Sequence, residues 1–167
     1  MDFSPESPYA FLSDEEVRAW YAYMKVQLRL RYEMNRQLRV DHGLSLADYD
    51  VLVALVSDEG GVLTVSDLAI RIGAERSRVS HQVRRMTQRG FVEVRPSADD
   101  RRATEVVLSD VGRETMTAAT PGHVALVRSV FFDALTADRT RELAESLERV
   151  YESLIAHGTL PRPADHP

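Results

Sequence analysis

The chain has no cysteine among its 167 residues. That excludes disulfides, thiolate-ligated zinc and thiol-based redox sensing. Lysine is almost missing too, with Lys25 alone against twenty arginines. Codon usage in a GC-rich genome would account for the scarcity of lysine, but not for where the arginines fall. No apolar run approaches the roughly 20 residues that a membrane helix needs, so no membrane partner is expected. The opening MDFSPESPYAF lacks the basic and apolar regions of a secretory leader, and the expected location is cytoplasmic. The five histidines (His42, His81, His123, His157, His166) are never three to five residues apart. A metal site would have to gather ligands from distant segments, so neither metal nor cofactor is expected. No nucleophile–base pair, glycine-rich phosphate loop or paired-carboxylate site stands out, which argues against an enzyme.

What the chain does have is a basic block in an acidic protein. The formal net charge is −5. Between residues 71 and 102, however, nine arginines (71, 76, 78, 84, 85, 89, 95, 101, 102) face only Glu75, Glu93, Asp99 and Asp100. A concentrated positive segment in a chain of opposite charge suits a surface that meets a polyanion. With 44% hydrophobic and 28% charged residues, the rest is ordinary for a globular domain.

The periodicity gives mainly α structure with one small β-hairpin. Residues 1–12, with Pro5, Pro8, Tyr9 and Phe11, read as an extended arm. Ser13-Asp14-Glu15-Glu16 is a capping box that starts a helix running to about Val40, stopped by Asp41-His42-Gly43. Ser45 to Asp48 starts a second helix, which Gly60-Gly61 should end. Thr64 to Asp67 starts a short third helix through Ile72, and Gly73 makes a turn. A fourth helix spans about Glu75 to Gln88, with Val79, Val83 and Met86 inward and Gly90 after it. The period then falls to two. Phe91 to Arg95 and Thr104 to Leu108 read as strands around a charged loop, residues 96–102. Ser109 caps a helix into the low 130s that Pro121-Gly122 should kink or break. Thr136 caps a last helix to about Ala156, and residues 159–167 read as a disordered tail.

The short helix, glycine turn and arginine-rich helix form a helix-turn-helix. On the fourth helix, Arg76, Ser77, Arg78, Ser80, His81, Gln82, Arg84 and Arg85 are the residue types that recognise DNA. Arginine pairs with guanine, glutamine with adenine, and serine with phosphate or base. Ser77, Arg78, His81 and Gln82 are placed nearest the bases. Arg84 and Arg85 meet phosphate, or one of them meets an acid on the protein itself. At the hairpin tip, Asp100, Arg101 and Arg102 suit a minor groove, with Asp100 two residues before Arg102 to orient its guanidinium.

The segment Asp100-Arg101-Arg102-Ala103-Thr104-Glu105-Val106-Val107-Leu108-Ser109-Asp110-Val111-Gly112 resembles the wing signature of the MarR family, D-x-R followed by L-[T/S]-x-x-G. Ser109 stands where threonine is commoner. The upstream SRVSHQVRRMTQRGFVEV resembles that family's recognition helix and its exit into the wing. The resemblance covers about Glu16 to His157. It implies a homodimeric winged helix-turn-helix regulator of transcription, usually a repressor, on a pseudo-palindromic site in double-stranded DNA. In that organisation residues 45–108 bind DNA, and residues 13–44 and 109–158 form the helical dimerisation region. It also implies release by a small ligand held between the two regions. Trp20, Tyr23, Met24, Gln27 and Tyr49 would line an apolar site for an aromatic or phenolic acid, or else Trp20, Met24 and Tyr49 are plain core. The alternative class is a winged helix used for protein–protein assembly, which would expose apolar anchors on the fourth helix in place of arginines.

Overall fold

Ser13 opens the first helix. Its hydroxyl accepts from the Glu16 amide at 3.2 Å, and the Glu16 carboxylate accepts from the Ser13 amide at 2.7 Å. Two amide donors that the helix start would leave unpaired are satisfied this way. The structure is a computed structural model that describes residues 7, 10–98, 100 and 102–164. Most of the expected N-terminal arm, together with Asp99, Arg101 and residues 165–167, lies outside the described residues. Helix α1 spans Asp14–His42 and ends at Gly43, whose φ of 64° suits glycine.

The order continues with α2 (Leu46–Val56), β1 (Val62–Thr64), α3 (Val65–Arg71), α4 (Arg76–Gln88), β2 (Val92–Pro96), β3 (Thr104–Leu108), α5 (Asp110–Val130), a 3-10 turn (Phe132–Ala134) and α6 (Ala137–His157). Helix α2 stops at Ser57, ahead of the two glycines expected to end it. The strands form an antiparallel sheet in the order β1-β3-β2, with Val62 opposite Val107 and Arg95 opposite Glu105. The sequence pattern predicts a two-stranded hairpin. Strand β1 is three residues long, too short to show an alternating pattern.

The core lies between α2, α3, α4 and the sheet. Leu52, Leu55, Leu68, Met86, Val92 and Val106 are fully enclosed there, with Leu38 of α1 and Ala119 of α5 closing the top. Val79, Val83 and Met86 are the buried apolar stripe of α4, as their spacing predicts. Helix α6, by contrast, buries none of its residues, and Leu147, Val150, Tyr151 and Leu154 stand exposed on it. Among the described residues, no helix is long and apolar enough to cross a membrane.

The junction after β3 explains the Leu-Ser-x-x-Gly pattern physically. The Ser109 hydroxyl donates to the Gly90 carbonyl at 2.6 Å and accepts from the Gly112 amide at 3.0 Å. One side chain therefore ties the exit of α4 to the start of α5. Gly112 lies so close to the Phe91 carbonyl that a Cβ would meet that oxygen at 2.1 Å.

Two expectations are corrected. Helix α5 runs through Pro121-Gly122 without the expected break, as one continuous helix packed against α1 and α2. Residues 159–164 are not a free tail. Arg162 forms a two-pronged pair with Glu152 of α6, and Arg71 of α3 donates to the Ala164 carbonyl at 2.9 Å.

Candidate nucleic-acid interface

Helix α4 is amphipathic, and its apolar stripe fixes where every other side chain points. With Val79, Val83 and Met86 inward, Ser77, His81 and Arg84 form an exposed crest, spaced four and three residues apart. On one side of the crest, Arg76, Ser80 and Arg84 face Val94 and Thr104 of the sheet across a shallow cavity of about 340 Å³. On the other side, Arg78, Arg85 and Arg89 face α1 and the start of α2. The Ser80 hydroxyl donates to the Arg76 carbonyl at 2.9 Å, so it is partly engaged within its own helix.

The start of α4 differs from that of the other five α-helices. Ser13, Ser45, Thr64, Ser109 and Thr136 each accept a first-turn amide with a side-chain oxygen. Glu75, the residue before α4, makes no such bond. The first-turn amides of α4, at the positive end of the helix dipole, have no side-chain cap. They lie beside Arg76, Ser77 and Arg78, a favourable place for a phosphate oxygen.

Gln82 is the main correction on this helix. Its residue type predicts a place at the bases, but its side chain is buried and donates to Oδ1 of Asp48, while its carbonyl oxygen accepts from Arg85. Asp48 also takes Arg89 at 3.2 Å and closes a capping box with Ser45. Asp48, Gln82, Arg85 and Arg89 thus form one network between α2 and the outer end of α4. The signal for it in the sequence is the acid of Ser45-x-x-Asp48. The spacing predicts a cap alone, whereas the second oxygen of Asp48 and its burial make it an anchor for α4.

In the wing, Arg95 is paired with Glu105 directly across β2 and β3 at 2.8 Å. Hydrogen bonds from Arg95 and then Ser97 hold the Glu105 carboxyl below its ordinary range. At the tip, Asp100 does not grip the guanidinium of Arg102. Its Oδ1 accepts the Arg102 backbone amide at 2.9 Å, and its carbonyl accepts the Ala103 amide at 2.8 Å. Asp100 therefore shapes the turn, and the Arg102 side chain is exposed with no acid partner among the described residues. Arg101 lies outside those residues.

The residues expected to line an effector site do not converge. Trp20 and Tyr23 are half-exposed and touch one another on the outer half of α1, with ring centres 5.6 Å apart, and Gln27 lies against Met24. Tyr49 is elsewhere, buried against His123 of α5 with ring centres 4.4 Å apart. It borders a cavity of about 390 Å³ with Arg31, Met34, Asp50 and His123. Burial pushes the Tyr49 hydroxyl and the Asp50 carboxyl up, with Arg31 opposing the shift at Asp50, and pushes the His123 imidazole down. His123 Nδ1 is buried with no hydrogen-bond partner.

Residues 42–103 match the model of the MarR family. AbsC, a MarR family transcriptional regulator from Streptomyces coelicolor, is 35% identical, with a TM-score of 0.82 over 88% of this chain and 99% of that one. A second MarR family regulator from the same organism, solved in complex with DNA, is 33% identical, with a TM-score of 0.84 over 90% of this chain and 98% of that one. The transcriptional repressor IacR of Pseudomonas putida is 27% identical over 138 residues, 79% of this chain and 78% of the relative.

Proposed function

Because the chain belongs to the MarR family of transcriptional regulators, we propose that it is a homodimeric repressor whose two α4 helices read a pseudo-palindromic operator. The observation that carries this reading is the exposed arginine, serine and histidine face of α4, beside a wing tip that holds out Arg102. The crest of α4 enters the major groove, with Ser77, Arg78 and His81 at the base edges. Arg76, Arg84 and Arg85 meet phosphates, and Arg101 and Arg102 reach the neighbouring minor groove.

Dimerisation accounts for the apolar side chains left outside the core. Trp20, Tyr21, Leu28 and Tyr32 on α1 and Leu147, Val150 and Leu154 on α6 are exposed in the single chain, more than an isolated surface helix carries. A two-fold interface over α1, α5 and α6 would cover them and set the two α4 helices about 34 Å apart, one turn of DNA. The name of the Pseudomonas putida relative supports repression. The effector reading moves from the outer half of α1 to the cavity beside Tyr49. Arg31 and the unpartnered His123 nitrogen are suited to the carboxylate or hydroxyl of a small aromatic acid. Such a ligand acts by favouring a spacing of the α4 helices that DNA does not accept.

The test is a mobility-shift titration of the full chain on the DNA flanking its own gene, followed by random-sequence selection if no fragment shifts. The expected result is a specific complex that the Arg78→Ala/Arg102→Ala variant loses. A chain that selects no sequence and binds no duplex even at low salt would overturn the reading.

A further inference from the structure

We propose that the cleft between α1, the start of α2 and α4 is a second track for DNA phosphates, so that helix α1 itself holds the duplex. This inference rests on the DNA-binding reading above and adds to it helix α1, which lies outside both the helix-turn-helix and the wing. The cleft is open in the single chain, with a volume of about 860 Å³, and its Leu28 and Tyr32 end runs toward the proposed two-fold interface. Five arginines line it: Arg31 and Arg39 from α1, and Arg78, Arg85 and Arg89 from α4. Its one acidic lining residue, Asp48, is buried and already engaged by Gln82 and Arg89. Arg31 faces Asp50 at 3.7 Å, and Arg85 is bonded to the neutral amide of Gln82. Arg39 and Arg78 face no acid among the described residues. So many like charges around one hollow call for an anion from outside the chain.

The occupant follows from continuity with α4. A helix in the major groove, about 12 Å wide, has a sugar–phosphate strand along each flank. On the wing side, Arg76 and Arg84 meet one strand. On the other side, beyond Arg78 at the edge nearest the bases, Arg85 points into this cleft, and Arg39 of α1 forms its opposite wall. The second strand lies between them. Phosphate contacts carry no sequence information but fix position, so α1 sets where the duplex lies relative to the helices proposed to join the two protomers.

Salt dependence reads this directly. The full chain is titrated by fluorescence anisotropy onto a labelled mixed-sequence duplex of about three helical turns. Salt is varied between about 50 and 200 mM, and the slope of log K against log salt is compared among wild type, Arg39→Ala, Arg39→Lys and Arg18→Ala. Arg39 and Arg18 are both exposed and without an acid partner among the described residues, so neither change should disturb folding, which thermal melting checks. Arg18 lies on the same helix about 30 Å away and controls for the loss of one positive charge. The expected result is that Arg39→Ala flattens the slope by about 0.9 for each phosphate that Arg39 neutralises in the wild type. Arg39→Lys restores the slope, and Arg18→Ala leaves it at the wild-type value.

A steep wild-type slope that Arg39→Ala leaves unchanged would overturn the second track and leave the DNA-binding reading standing. A wild type that binds no duplex would overturn both. An Arg39-dependent thermal shift with inorganic tripolyphosphate, with the DNA slope unmoved, would put a free phosphorylated molecule in the cleft and overturn the assignment to DNA.

Discussion

Gln82 donates its side-chain amide to Asp48, and this buried bond ties α4 to the start of α2. Arg89 takes the other oxygen of the same carboxylate at 3.2 Å. Removing Asp48 deletes a helix cap and leaves the buried Gln82 amide without its acceptor. Asp48→Ala should therefore cost about 2–4 kcal/mol in urea unfolding. Gln82→Ala should cost about 1–3 kcal/mol and leave the preferred operator sequence unchanged. A shift in base preference at one operator position on Gln82→Ala would return that residue to the bases.

Gly112 should tolerate no side chain. A Cβ there meets the Phe91 carbonyl oxygen at 2.1 Å, and backbone cannot swing aside as a flexible side chain does. Gly112→Ala should lower stability by about 3 kcal/mol or more, measured by thermal and urea unfolding. A variant within about 0.5 kcal/mol of wild type would mean that α5 does not seat so closely on the exit of α4.

Asp100 acts on the wing through the backbone, so the two ways of removing its charge should differ. Asp100→Asn keeps an oxygen that accepts the Arg102 amide and should bind DNA at least as well as wild type. Asp100→Ala loses the turn and should bind more weakly, approaching the loss of about 1–3 kcal/mol expected for Arg102→Ala. Equal binding by Asp100→Asn and Asp100→Ala, read by anisotropy on one operator, would show that the turn bond does not position Arg102.

His123 gives the protein an acid-sensitive point. Burial lowers its pKa from an ordinary value of 6.5, so the unfolded chain binds a proton there before the folded one does. Stability from the neutral imidazole is present above about pH 6.5 and falls as pH drops toward the folded pKa. Asp50 and Arg31 border the same cavity. Burial raises the Asp50 pKa, and that group makes the opposite contribution, favouring the folded state as pH falls. The readout is therefore a difference. His123→Gln should lose less stability than wild type between about pH 7 and pH 5.5. Parallel pH profiles for the two proteins would show that His123 is not the group responsible.

The fold is legible in the sequence wherever a local pattern decides it. Ser13, Ser45, Thr64, Ser109 and Thr136 announce five helix starts, and Val79, Val83 and Met86 fix which way α4 faces. What escapes depends on residues distant in sequence. Strand β1 exists because β3 offers it a partner more than forty residues later. Gln82 is polar, and nothing within α4 says that a buried carboxylate on α2 awaits it. Arg39 is, by sequence, one more arginine on a long helix, and only folding places it opposite Arg78. The aromatic side chains of α1 suggest a pocket, but the partner that should complete it, Tyr49, is committed to His123.

Pro121 has no amide hydrogen, so the ladder of α5 lacks the rung that would join residue 121 to the carbonyl of Thr117. The helix is continuous, yet its stiffness is not uniform. In mechanical terms α5 is a beam with one weakened section. The segment before that section is anchored to the wing by Ser109 and Gly112, and the segment beyond it carries His123. A load applied at either end bends such a beam at its midpoint before it bends anywhere else.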